Sequence, residues 1–299
     1  MSYVCYINAT IFHLEVFIMV RKLFATLLLV VLCVCTVSEA STDVIGVLMV
    51  YDNDNPEEQL TEILRGGLQV VPLYVVGVDM SKTEMKYYDS LMTMMLALEK
   101  GEIDYLGLPR DVGRYVLENN TDLALKGLSW YTTRIADSMN FAFLKTNAGL
   151  VKRFNEAIAA MTKDGTLAIL EKAYINNYGL NERPAVKFEK FGDAETITVA
   201  LTGDQPPIDY VDAGGTPAGF NVAVLAEIGR RLHVNINTIQ VETGARLAAL
   251  TSGRADAAFW FRENLGAGKH QYILMERPKG IIISDPYYAW NEYYIIGKK

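Results

Sequence analysis

Few residues of this chain have the types and spacing that catalysis or metal binding requires. The acidic run Asp52 to Asn55 is similar to a calcium-binding loop, but it lacks the glycine and the terminal glutamate of that motif. A turn that caps a helix is the simpler interpretation of this run. His233 and His270 lie far apart and fit no ligand pattern, and the chain contains no G-x-S-x-G, H-E-x-x-H or P-loop motif. The sequence therefore predicts no metal site, no cofactor and no enzyme.

The N-terminus has the organisation of a secretory leader. A basic pair ends at Lys22 and is followed by an apolar run, Leu23 to Val37, with small residues before Ser41. We predict that residues 1–40 are a signal peptide, which starts naturally at Met19. An uncleaved membrane anchor is the alternative, although the run of about 15 apolar residues is short for a spanning helix. The sequence thus predicts an exported protein, periplasmic or extracellular.

Composition and cysteine placement exclude several classes of protein. The chain of 299 residues is 51% hydrophobic and 21% charged, which is typical of one large or two medium globular domains. All three cysteines, Cys5, Cys33 and Cys35, lie in the predicted leader. Cleavage would leave no disulfide, no cysteine-bound zinc and no cysteine nucleophile. The net charge of −7 argues against a nucleic-acid partner, because phosphate binding requires a basic surface.

Strand and helix patterns alternate from Asp43 onward. Strands are expected at residues 45–50, 103–108, 141–144, 197–201, 234–241, 257–261, 281–283 and 292–296. Helices are expected at residues 55–64, 88–98, 112–117, 150–161, 167–174 and 222–232. The polar residues 178–194 are typical of a linker. Repeated βα units of this kind predict an α/β fold with parallel-rich sheets flanked by helices.

One short pattern occurs twice along the chain. Ala97-Leu98 is followed by Gly101 and Asp104, and Ala249-Leu250 is followed at the same spacing by Gly253 and Asp256. In each copy, we expect the glycine to end a helix in the left-handed conformation and the aspartate to enter a short strand. The repetition predicts two lobes of similar build.

Three motifs in the last third of the chain carry a family resemblance. They are the strand and Pro-Pro loop TITVALTGDQPPIDY (Thr196 to Tyr210), the helix that starts Gly-Phe-Asn-Val at Gly219, and the segment from Glu276-Arg277 to Ser-Asp-Pro-Tyr-Tyr (Ser284 to Tyr288). In type and order, these motifs resemble the extracytoplasmic solute-binding proteins of the polar amino-acid ABC uptake family, family 3. The resemblance covers nearly all of Thr196 to Lys299.

The earlier part, Asp43 to Tyr178, resembles the remainder of the same family, so that the family's end precedes its beginning. This order implies a circular permutation, since natural termini often lie close together. Two truncated domains fused in tandem are the alternative. The implied domains are a second-lobe-like domain at 43–137 and a first-lobe-like domain at 138–299. The latter comprises C-terminal helices at 149–178, a linker at 179–195 and an N-terminal-type lobe at 196–299.

The resemblance implies a two-lobed periplasmic-binding, or Venus flytrap, fold that closes on a small polar solute. The implied function is capture of an amino-acid-like or other carboxylate ligand, for uptake through the membrane subunits of an ABC transporter, by a monomer. Three alternatives stay open: a ligand-sensing module, a degenerate flytrap that acts through protein contacts, and a dehydratase-like enzyme on the same fold.

The resemblance also implies which residues line the cleft. Arg277 aligns with the family's carboxylate-clamping arginine, whose guanidinium pairs with a carboxylate through two hydrogen bonds. A surface arginine is the alternative. Gln205 takes the usual place of an aromatic lid. Asp111 lies near the acid that binds the amino group, and a solvated aspartate at a helix start is its alternative.

The strand Phe259-Trp260-Phe261-Arg262 replaces the small residues that usually donate to the ligand. Alternation along a strand would direct Trp260 and Arg262 toward the cleft and the two phenylalanines into the core. These departures argue against a standard L-amino acid as the ligand.

Overall fold

Helices and strands alternate along the part of the chain that the structure describes. The structure is a computed structural model, and it describes residues 42–48, 73–78, 83–131, 137–176, 183–262, 280–290 and 292–299. The strands are β1 (Asp43–Leu48), β2 (Leu73–Val76), β3 (Thr83–Tyr88), β4 (Tyr105–Pro109), β5 (Leu123–Tyr131), β6 (Asp137–Leu144), β7 (Thr196–Leu201), β8 (Asp204–Gln205), β9 (Asp209–Val211), β10 (Pro217–Ala218), β11 (Asn235–Gln240), β12 (Ala257–Arg262), β13 (Ile281–Ile283), β14 (Tyr288–Trp290) and β15 (Glu292–Lys298). The helices are α1 (Leu91–Lys100), α2 (Arg110–Asn119), α3 (Ala148–Lys163), α4 (Thr166–Tyr174), α5 (Phe220–Leu232) and α6 (Arg246–Thr251).

The first large sheet is built mainly from the early part of the chain. Its six strands have the order β2-β5-β15-β4-β1-β3. β1 is parallel to β3 and β4, whereas β15 is antiparallel to both β4 and β5. The last strand of the chain therefore lies inside this sheet, although the predicted domain division at residue 138 assigns it to the other domain.

The second large sheet has the order β11-β7-β12-β6-β13, and β14 also pairs with β6. β7 is parallel to β11 and β12, and β6 is antiparallel to β12 and β13. A small three-stranded sheet, β10-β9-β8, follows β7 in the chain. Strands β6 and β7 thus share one sheet, on either side of the linker.

The α/β fold class is confirmed, with sheets flanked by helices. Both large sheets are nevertheless mixed. The parallel part of each consists of βα-connected strands, as expected. The antiparallel part begins where the chain arrives from the other sheet: β6 follows β5, and β15 follows β14. Local periodicity carries no information about these two crossings.

The repeated pattern has the same structure in both copies. Gly101 and Gly253 are left-handed, with φ of 73° and 72°. The Asp104 carboxylate accepts from the backbone N–H of Val44 in β1 at 2.8 Å, and the Asp256 carboxylate accepts from that of Thr198 in β7 at 2.8 Å. Each aspartate therefore fixes its lobe's first strand in the same way, and the predicted role of glycine and aspartate is confirmed.

Some predictions differ from the structure or lie outside it. Tyr88 belongs to β3 rather than to the helix, because Ser90 caps α1 by accepting from the N–H of Thr93 at 3.1 Å. The predicted leader (1–40) and the predicted helix at 55–64 lie outside the described residues. Within the described part of the chain, none of the helices is long and apolar enough to cross a membrane.

Candidate functional site

Loops from the two large sheets meet at the carboxyl ends of parallel strands. The Thr243 hydroxyl, after β11, donates to the carbonyl oxygen of Asp89, after β3, at 3.2 Å. The Leu91 N–H, in the first turn of α1, lies near the carboxylate of Asp204, after β7, and acts to lower the pKa of that carboxylate. Ligands of open α/β sheets bind at the carboxyl ends of strands. We therefore take this region, the inter-sheet site, as the candidate functional site.

Asp204 is the carboxylate of the second sheet that reaches the first. Burial raises the pKa of Asp204, while the nearby Thr202 side chain, the Leu91 N–H and the charge of Arg246 act in the opposite direction. The N-terminus of α1 attracts a negative charge through its free N–H groups. Asp204 thus supplies an anion to this helix end from the other sheet.

Asp209 lies on the same β8–β9 hairpin as Asp204 and is buried, with 4% of its surface exposed. Its Oδ2 accepts from the backbone N–H and from the hydroxyl of Thr202, each at 3.3 Å. Burial, followed by the negative charge of Asp204, raises the pKa of Asp209 from 3.8 to about 7. The two carboxylates therefore interact strongly, with the Thr202 hydroxyl in reach of both.

Arg246 is the buried cation of the inter-sheet site, with 5% of its surface exposed. Its Nε donates to the carbonyl oxygen of Thr243 at 3.1 Å, and its Nη1 donates to that of Phe259 at 3.2 Å. These bonds hold the turn that carries Thr243 against β12. The guanidinium is therefore a positive charge held in place between the Thr243 turn and β12.

A second contact between the sheets is formed by Asp111 and Tyr288. The Tyr288 hydroxyl donates a hydrogen bond to Asp111, and Arg110 Nε donates to the same carboxylate at 3.0 Å. Arg110 also lies 3.8 Å from Glu292. Asp111 is only 2% exposed, so it is not the solvated aspartate that one interpretation of the sequence expected. Burial, and then the charge of Asp111, raises the pKa of Tyr288 above its usual value.

We expect Tyr288→Phe to lower the free energy of unfolding by about 1–3 kcal/mol, because it leaves a buried carboxylate without its hydroxyl donor. Urea denaturation in a metal-free buffer measures this change. Tyr287→Phe is the matched control, since the Tyr287 hydroxyl is buried without a hydrogen-bond partner. Its removal should be neutral or stabilising. Equal losses in the two variants would contradict the role of the Tyr288–Asp111 bond.

The structure places two of the five predicted ligand-binding residues in full. Gln205 is half-buried in β8, beside Asp204, and its backbone carbonyl oxygen accepts from the N–H of Ile208 at 2.8 Å. Asp111 lies at the second contact instead. Trp260 and Arg262 belong to β12, but the structure describes only their backbone. Arg277 lies outside the described residues.

The core role expected for one of the neighbouring rings is confirmed. Phe259 is 3% exposed and packs against Phe141, with ring centroids 5.4 Å apart. The side chain of Phe261 lies outside the description.

Sequence reasoning missed the polar residues that form the inter-sheet site: Asp204, Asp209, Thr243 and Arg246. One signal was available, because Asp204 and Thr243 both follow closely on strands that were predicted correctly. Their proximity to α1 depends on how the sheets are placed, which a local pattern does not contain.

Residues 197–299 match the family described as "Bacterial extracellular solute-binding proteins, family 3". This match begins one residue after Thr196 and extends to the C-terminus. It confirms the resemblance that the three motifs of this segment carry.

Several solved structures are similar to this chain in structure, at low sequence identity. The ligand-binding component of an ABC-type import system from Staphylococcus aureus is 10% identical, with 86% of this chain and 65% of that chain covered and a TM-score of 0.38. The GluR0 ligand-binding core from Nostoc punctiforme, in complex with L-glutamate, is 10% identical, with 86% and 84% covered and a TM-score of 0.35. A nutrient-binding protein from Burkholderia cenocepacia, bound to methionine, has the same values of 10%, 86%, 84% and 0.35. This chain thus spans less than two thirds of the Staphylococcus protein, and similarity at this level does not extend to the ligand.

Proposed function

We propose that this chain captures a small polar solute, amino-acid-like or another carboxylate, between its two large sheets. The observation that carries the proposal is the match of residues 197–299 to a family of solute-binding proteins. In this proposal the sheets are the two lobes of a clamp, and the solute is enclosed when they approach each other.

The geometry of the inter-sheet site supports this proposal. Loops at the carboxyl ends of parallel strands from both sheets contribute to it, through Thr243 and Asp89 and through Asp204 and Leu91. Such edges carry the polar groups that orient small ligands in α/β proteins. Gln205 lies next to Asp204 on the same hairpin, where it would contribute an amide to the ligand.

Three further residues belong to the proposed ligand site through the family resemblance. Arg277 would pair with the carboxylate, and Trp260 and Arg262 would reach the ligand from β12. Asp111 is proposed with a changed role: because it is buried and bonded to Tyr288, it would position the lobes rather than contact the amino group.

The proposal extends to the cellular role. An exported protein of this family would deliver its solute to the membrane subunits of an ABC transporter. The predicted signal peptide, residues 1–40, supports export, and N-terminal sequencing of secreted protein should begin at or near Ser41.

The permuted order of segments is part of the same proposal. Strand β6, from the segment that resembles the family's end, pairs with β12, and β12 pairs with β7 at the family's beginning. The linker between residues 183 and 195 is tied to the same lobe, because the Asn235 side chain accepts from the N–H of Phe191 at 2.9 Å. These contacts are what a join between old termini would require.

A thermal-shift screen of amino acids, short peptides and dicarboxylates tests the function. A ligand that binds only the native state should raise the melting temperature by several degrees once it exceeds its dissociation constant about 100-fold. Calorimetry should confirm a single site, and NMR of the recovered ligand should show it unchanged. A chemically altered ligand would favour the dehydratase-like alternative. No shift with any ligand class would favour a degenerate flytrap.

A further inference from the structure

Four buried polar atoms without hydrogen-bond partners lie in the segments around the β8–β9 hairpin. They are Asp204 Oδ1, Asp209 Oδ1, Asn221 Oδ1 and the Tyr287 hydroxyl. Six such side-chain atoms are recorded in the described part of the chain, so most of them fall in this one region. Buried polar atoms in folded proteins are nearly always satisfied, and exceptions point to a bound water or ion. A bound water or ion in this region would satisfy these atoms.

The residues are held together by backbone contacts as well as by charge. The Asn221 N–H donates to the carbonyl oxygen of Ile208 at 2.8 Å, which places the start of α5 beside Asp209. The Thr202 hydroxyl donates to Asp209 at 3.3 Å and also acts on the pKa of Asp204. The charge of Asp209 also acts on Tyr287, and it contributes, after burial, to raising the pKa of that phenol. Asp204, Asp209 and Tyr287 thus form one electrostatic cluster.

The chemistry of the free atoms selects the kind of partner. Three of the four are acceptor oxygens, two of them on carboxylates, and the fourth is a phenol oxygen. Tyr287 is 5% exposed and Asn221 is 1% exposed, so these oxygens are shielded from bulk water. Oxygen-only donor sets of this kind bind hard cations such as Ca²⁺, Mg²⁺ and Na⁺.

The charge balance leads to the same conclusion. The charged groups that face the pair are Arg246 and the N-terminus of α1, and both act on Asp204. Asp209 has the carboxylate of Asp204 and the Tyr287 phenol as its neighbours. Two carboxylates against one guanidinium leave about one negative charge uncompensated in a buried position, which is costly without a cation or a proton.

We propose that the carboxylates of Asp204 and Asp209, with the side-chain amide oxygen of Asn221 and the phenol oxygen of Tyr287, form a binding site for a hard metal cation beneath the inter-sheet site. In the described part of the chain, no group of three or more His, Cys, Asp and Glu side chains could hold a metal ion, so this site relies on amide and phenol oxygens beside its two carboxylates. The site does not depend on the proposed solute. It would secure the hairpin that carries Asp204 and hence the contact with α1.

Protons compete with the cation, because a carboxylate must be ionised to bind a metal. A cation that replaces the proton should therefore stabilise the fold more at pH 8 than at pH 5.

Melting temperatures of the full chain, measured with EDTA or with 10 mM Ca²⁺, Mg²⁺ or Na⁺, test the site. At pH 8 we expect at least one of these cations to raise the melting temperature by about 5 °C, and to have less than half that effect at pH 5. Asp209→Asn should abolish the shift. If Asp209→Asn does not fold, Asp204→Asn should abolish the shift in its place. Asp193→Asn, an exposed acid outside the site, should keep it.

Two results would overturn the proposal. If no cation changes the melting temperature at pH 8, the pair is neutralised by a proton alone. If the shift persists in both Asp209→Asn and Asp204→Asn, the cation binds elsewhere on the chain.

Discussion

Replacing Phe141 with alanine is expected to lower the free energy of unfolding by about 3–5 kcal/mol. Phe141 is fully buried in β6, and its ring centroid lies 5.1 Å from that of Phe154, 5.4 Å from that of Phe259 and 4.9 Å from that of Tyr287. The substitution removes both the transfer energy of the ring and its contacts with three aromatic neighbours. Urea denaturation followed by circular dichroism measures the change.

The control for Phe141→Ala is an apolar residue of similar type that is not enclosed. Ile169 on α4 is 67% exposed, so Ile169→Ala should change the free energy of unfolding by less than about 1 kcal/mol. Phe141→Leu should fall between the two, because it keeps much of the volume. A cost below about 1 kcal/mol for Phe141→Ala would contradict the placement of β6 in the centre of the second sheet. It would also weaken the proposed permutation, which requires β6 and β7 to share one core.

The elements that periodicity predicts well are those whose pattern is complete within one segment. Helix α3 is an example: the sequence places Leu150, Phe154, Ile158 and Met161 on one face, and in the structure the last three are buried while Leu150 is half-buried. The helix ends at Lys163, just before Asp164-Gly165, which the sequence indicates as its end. Strand β7 follows the same logic, with Ile197, Val199 and Leu201 buried. Here the local sequence and the tertiary environment impose the same constraint.

Residue periodicity does not predict how the strands pair in the sheets. The pattern of β15 shows an apolar strand, but not that it pairs with β4 and β5, about 160 to 190 residues earlier. Pairing over such separations is decided by the packing of whole sheets, and residue alternation along one strand is the same for either sheet. β15 accordingly pairs with strands of the first sheet, whereas the predicted division at residue 138 groups it with the second.

The candidate site shows the same division between local and long-range information. Asp111 was expected either at the ligand or in solvent, and its actual partner, Tyr288, is 177 residues away in sequence. Asp209 reads as an ordinary polar residue after a Pro-Pro turn, and its raised pKa arises from burial and from Asp204. Burial and charge proximity are properties of the folded chain, so neither residue could be assigned its role from spacing alone.

Replacing Arg277 with alanine is expected to weaken the binding of a carboxylate ligand by roughly 30-fold or more, on the order of 2–5 kcal/mol. The prediction rests on the proposed function and on the family resemblance, because Arg277 lies outside the described residues. A guanidinium that clamps a carboxylate makes two parallel charge-assisted hydrogen bonds, and alanine removes both. Calorimetry with a ligand from the thermal-shift screen measures the loss.

Two further variants separate a clamp from a general effect of charge. Arg277→Lys should recover only part of the affinity, because a point charge cannot reproduce the two-pronged geometry of the guanidinium. Arg254→Ala removes the same charge at an exposed turn and should leave affinity unchanged. Folding stability should barely change in any of these variants, since an arginine in an open cleft contributes little to the core. Equal affinity of wild type and Arg277→Ala would place Arg277 on the surface. The ligand carboxylate would then have to be bound by another group, and Arg262 is the candidate that the family resemblance leaves.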